Sequence, residues 1–121
     1  MQPRPYAIIA TAAIAADSDA EAERIAASAE LHYVRRAKGE YLPLESPAAA
    51  AAYPYTDADR ERMARHRARL AVGSASTVKD RLLALVEATR ADELMLTTML
   101  YDHAARRHSY DLLADTFALP R

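Results

Sequence analysis

Tyr6-Ala7-Ile8-Ile9-Ala10-Thr11-Ala12-Ala13-Ile14-Ala15-Ala16 is the stretch that decides the fold. It has no polar alternation. A continuous apolar run of this kind suits a strand covered on both faces, as in a parallel sheet. Its many alanines fit a helix as well. Asp17-Ser18-Asp19 ends the run, and Ala20-Glu21-Ala22-Glu23 places acids in what reads as a first helical turn. We read the run as a buried strand and start a helix near residue 18 or 19. That helix continues through Ile25, Leu31 and Val34 to about Lys38, with Gly39 as its stop.

Beyond Gly39 the pattern loosens. Residues 39–56 hold Pro43, Pro47 and Pro54 and the alanine run Ala48 to Ala52, so they read as an irregular crossing with one helical turn. Thr56-Asp57-Ala58-Asp59 reads as another cap. The helix after it, Arg60 to Leu70, is strongly charged and should be mostly wet. Ala71-Val72-Gly73-Ser74 is a short apolar piece read as a strand. Thr77 to Thr89 reads as an amphipathic helix with Val78, Leu82, Leu85 and Val86 on one face. Asp92 to Met99 reads as the next strand. A last helix runs from about His103 to Leu119, with Tyr110, Leu113 and Phe117 on one side. Strands alternating with helices predict βαβ units and a parallel sheet, an α/β fold.

Composition narrows the function. The chain of 121 residues fits one domain, 1–121. Its 16 basic and 17 acidic residues give a net charge of −1, which creates no field for nucleic acid or a membrane surface. With no cysteine, disulfides, thiolate catalysis and Cys-type zinc sites are excluded. Neither His32 nor His66 has a metal-binding partner four residues on, so no metal is expected. The N-terminal residues do not read as a signal peptide, and the apolar run is too short to span a bilayer. A cytoplasmic address is the default expectation. With two glycines, Gly39 and Gly73, Gly-rich nucleotide loops are absent.

Three blocks resemble one family. Arg4-Pro5-Tyr6, the apolar run and Ala15-Ala16-Asp17-Ser18-Asp19-Ala20-Glu21-Ala22 are similar to the sixth strand and following helix of bacterial luciferase-like flavin monooxygenases. Val72-Gly73-Ser74-Ala75-Ser76-Thr77-Val78 resembles the seventh strand and helix start. Asp92-Glu93-Leu94-Met95, followed by Tyr101-Asp102-His103-Ala104-Ala105-Arg106-Arg107-His108-Ser109-Tyr110, resembles the last. Ala75 stands where the family usually has proline. The resemblance implies a partial TIM-type (β/α)8 barrel, about its last three βα units, since whole barrels take about 250 residues. It also implies FMN or a related flavin, with O2 as oxidant and an organic substrate. The N-terminal barrel half has no counterpart in these residues, so a fragment or truncated relative, inactive alone, is expected. Open sheet edges predict a homo-oligomer or a complementing N-terminal half. A non-enzymatic α/β association module, or a flavin site built across a dimer, are the alternatives.

The candidate site residues follow. Gly73 and Ser74, at a strand-to-helix junction, are candidates to hold a flavin phosphate, against simple capping by Ser74, Ser76 or Thr77. Tyr101 is a candidate to line the flavin, and His103 to act as acid or base, near Thr97 and Thr98 at the end of the last strand. Against this, Tyr101 would pack and His103 would sit on the surface. Arg106, Arg107 and His108 read as a solvated turn rather than a phosphate site. Asp17, Asp19 and Glu21 read as helix capping rather than a metal cluster. His66 among Arg62, Arg65, Arg67 and Arg69 reads as an exposed helix face.

Overall fold

The computed structural model describes residues 6–117. Three strands and five helices follow in order: β1 (Ile8–Ala16), α1 (Asp19–Ala37), α2 (Pro47–Ala52), α3 (Asp57–Arg67), β2 (Leu70–Ser74), α4 (Ala75–Thr89), β3 (Glu93–Thr97) and α5 (His103–Thr116). The apolar run is a strand, as its lack of alternation predicts. Its partners are both parallel, in the order β2-β1-β3. The end of the expected last helix, residues 118–119, lies outside the described residues.

Local chemistry sets the boundaries. Ser18 accepts the Glu21 N–H and starts α1, with Asp19 and Glu21 in its first turn. Gly39, at φ 81°, follows its end in the left-handed region. Ser46 caps α2 with Pro47 at its first position, so the irregular crossing holds a helix of 6 residues. Thr56 and Asp59 form a reciprocal capping box, so α3 begins at Asp57, earlier than its charged run suggests.

The long strand organises the sheet in two halves. Ala12 to Ala16 of β1 pair with β2, and Ile8 to Ala12 pair with β3. Odd-numbered residues of β1 turn their backbone groups toward β3, as the Asp92 and Glu93 N–H groups on the Ala7 carbonyl show. Where β3 has ended, side chains continue the ladder. The Thr98 hydroxyl donates to the Ala13 carbonyl at 2.7 Å, and Ser109 Oγ accepts the Ala15 N–H at 2.9 Å. Both hydroxyls are buried. A free backbone edge inside the protein is thereby satisfied without a further strand.

Alternate residues of β1 face different cores. Ile14 and Ala16 join Leu70 and Val72 against Ala22, Ile25, Ala26 and Ala29 of α1. Ala13 and Ala15 join Ala71 against Val78 and Leu82 of α4 and Leu113 of α5. Helices therefore cover both faces of the sheet. This differs from a simple barrel arc, in which consecutive strands are neighbours and the helices form one outer ring. The reason lies in β1. Apolar on both faces and the longest strand, it takes the central place, so the connection through α1 leads to one side of it and the connection through α4 leads back across to the other.

Coverage is incomplete near the start of β1. Ile8 and Met95 are exposed, on the face where α1 covers the later half of the sheet. In α5, Tyr110 is exposed rather than inward, and Ser109 takes the inward place four residues before Leu113.

Candidate functional site

The chain leaves β1 toward one face of the sheet and β2 toward the other. Such a switch point opens a crevice at the carboxyl ends of the strands, where α/β sheets bind ligands. Here the crevice brings Asp17-Ser18-Asp19 against Gly73-Ser74, two segments that the sequence separates widely.

A side chain of the protein itself closes it. Asp19 Oδ1 accepts the Ser74 N–H at 2.7 Å. The same oxygen would lie 2.7 Å from a Cβ at position 73, and Gly73 has φ 156°, so glycine is required by both space and conformation. Ser74 Oγ meanwhile accepts the Thr77 N–H and caps α4. The Ser74 N–H, followed by contacts with Thr77, holds the Asp19 carboxyl below its ordinary range. Asp19 thus already occupies the Ser74 N–H that a flavin phosphate would use here, and the group that occupies it is an anion.

The neighbouring side chains are likewise engaged. Arg24 binds Glu21 through two nitrogens, at 2.6 and 2.9 Å. Asp102 accepts the Ala105 N–H and caps α5. His108 Nε2 lies 2.7 Å from Asp17 Oδ1, tying α5 to the end of β1. Tyr101 is exposed and lines an open cavity of about 310 Å³ together with Glu21, Arg24, Leu100 and Asp102. His103 is exposed at the first residue of α5. Two acids and one paired arginine give that cavity poor chemistry for a phosphate. The structure thus brings Gly73, Ser74 and Asp19 together and places Tyr101 and His103 on the rim of the same end.

Sequence reading did not find a second concave region, on the α1 face. Tyr33 of α1 and His66 of α3 stack with ring centroids 3.9 Å apart and planes 8° from parallel. They line a cavity of about 210 Å³ over Ile14, Ala29 and Leu70. Burial, then Arg69 and Arg67, lower the His66 pKa and favour the neutral ring. Arg67 holds α3 to α1 through Glu30, at 2.7 Å, and Glu23. The charged helix is therefore wet along most of its surface but docked through Arg67 and His66. A stack between residues 33 positions apart leaves no local signal. Among the described residues no group of three His, Cys, Asp or Glu gathers as a metal site, and no helix is long and apolar enough to cross a membrane.

No family model matches the chain. It is 35% identical over 113 residues to the uncharacterized protein YceB of Bacillus subtilis, covering 93% of this chain and 34% of that protein. It is 30% identical over 112 residues to a luciferase-like monooxygenase of Escherichia coli, covering 93% of this chain and 33% of that protein. The crystal structure of apo-MsnO8 superposes with a TM-score of 0.83 at 34% identity, over 98% of this chain and 37% of that one. The chain therefore spans about a third of the length of the curated relatives it matches. Nearly all of it is similar in sequence, and in the last case in three dimensions, to a part of proteins that include a luciferase-like monooxygenase.

Proposed function

We propose that this chain is the C-terminal segment of a luciferase-like, flavin-dependent monooxygenase, and that it scaffolds the oxidising site rather than carrying it. The observation behind this reading is the state of the carboxyl-end crevice. Asp19 occupies the Ser74 N–H, Glu21 holds Arg24, and Asp102 caps α5. The remaining candidate, His103, is exposed at the first residue of α5. Reduced flavin, bound elsewhere in the longer protein, would supply the O2 chemistry. The residues of this chain would position strands and exclude water.

The outer edges of β2 and β3 support a complementing partner. Each presents a row of ladder groups with which a further strand can pair. Either the preceding part of such an enzyme or a second copy would meet that need.

Titration of the purified chain with FMN, oxidised and then reduced without oxygen, tests the reading. Flavin fluorescence should stay unquenched with the chain alone. The chain should co-elute with the separately produced first two-thirds of the Escherichia coli relative. Stoichiometric flavin binding by the 121-residue chain alone would overturn it.

A further inference from the structure

We infer that the cavity beneath the Tyr33–His66 stack is a binding site for a small apolar monocarboxylate, with its tail on Ile14, Ala29 and Leu70 and its carboxylate at the Arg36 side. This site is separate from the crevice at the strand ends and stands independently of the functional reading above.

Three observations carry it. The first is shape. The cavity is about 210 Å³, below the roughly 300 Å³ at which drug-sized pockets begin, so it suits on the order of ten non-hydrogen atoms. The second is the wall. Tyr33 and His66 stack into one flat surface, and the His66 Nδ1 is buried without a partner. The third is charge. Arg36 lines the cavity, and no carboxylate does. Arg36 also lies over the Tyr41 ring at 4.9 Å, a contact that favours the cation there. An apolar floor with a guanidinium in its lining selects an anion with a hydrocarbon body. A phosphate monoester or a sugar would leave the floor unused.

Octanoate is the probe. Backbone amide spectra of the whole chain, recorded by two-dimensional NMR with increasing octanoate, should show saturable shifts at Ala12, Ala29, Tyr33 and Met99. Octylammonium, with the same tail and the opposite charge, should leave them in place. Ala29→Leu fills the floor from α1 and should abolish the shifts. Arg36→Gln, at an exposed position that does not risk the fold, should weaken octanoate binding by about fivefold, as expected for an exposed ion pair. The inference is overturned by unsaturated shifts at millimolar octanoate, by equal shifts with octylammonium, or by undiminished binding to both variants. It also fails if the same amides broaden with protein concentration and ignore octanoate, since a second copy would then hold the face.

Discussion

The Asp19 carboxylate lies 2.7 Å from the Ser74 amide and joins the starts of α1 and α4 across the top of the sheet. It stands where a helix start in this kind of fold would otherwise receive an external anion. One side chain at the first position of α1 therefore holds the residue that caps α4 and bridges the crevice between them.

Gly73 is the most sensitive position in that arrangement. A Cβ there would meet Asp19 Oδ1 and Thr77 Cγ2, each at 2.7 Å, on a backbone at φ 156°. Gly73→Ala should cost about 2–4 kcal/mol, combining backbone strain with overpacking. Asp19→Ala removes one of the clashing atoms, so the double variant should be less destabilised than the sum of the singles. Urea unfolding of the four proteins measures the coupling.

Acid should destabilise the protein through carboxylates that are held below their ordinary range. For Asp59 the causes are the Thr56 N–H first and Lys38 second, the latter at 3.0 Å. A folded pKa below the unfolded one gives stability that is present above the unfolded value and lost as pH falls through the folded value. Asp19 behaves in the same sense. Lys38, raised chiefly by Asp59, contributes below its ordinary value, and that contribution is lost as pH rises through the raised one. Urea midpoints taken from neutral pH downward should fall for the native chain. Asp59→Asn should start lower and flatten that acid limb. An unchanged acid limb would show that Asp59 titrates normally.

Ser109→Ala should cost about 1–3 kcal/mol, because it leaves the buried Ala15 N–H without its acceptor. Thr98→Val should act similarly through the Ala13 carbonyl. Chemical denaturation measures both. Equal stability of Ser109→Ala and the native chain would mean that water replaces the hydroxyl.

Leu82 and Tyr101 should separate core from surface. Leu82 is 1% exposed on the inner side of α4, and Leu82→Ala should cost about 2–5 kcal/mol. Tyr101 is 54% exposed, and Tyr101→Ala should change stability by no more than about 0.5 kcal/mol. Thermal melts of the two variants distinguish them.

Much of the fold was readable from local pattern. The unbroken apolar run gave a doubly covered strand, and Ser18 and Gly39 bounded α1. Strand order was not readable, because β1 is apolar along its length and nothing local says which neighbours its two halves take. Ser109 was missed for a related reason: a serine inside a charged turn looks solvated unless its spacing from Leu113 is weighed. For the site, the reading found Gly73 and Ser74 at a helix start but set Asp19 to capping its own helix. Its bond to Ser74 depends on how two distant loops meet.

The Thr98 and Ser109 hydroxyls on β1 have a consequence for assembly. They act as a stopper on one half-edge of the central strand, so that lane of the sheet is closed to any incoming chain. The middle of the sheet is finished, and β2 and β3 are left as its outermost strands.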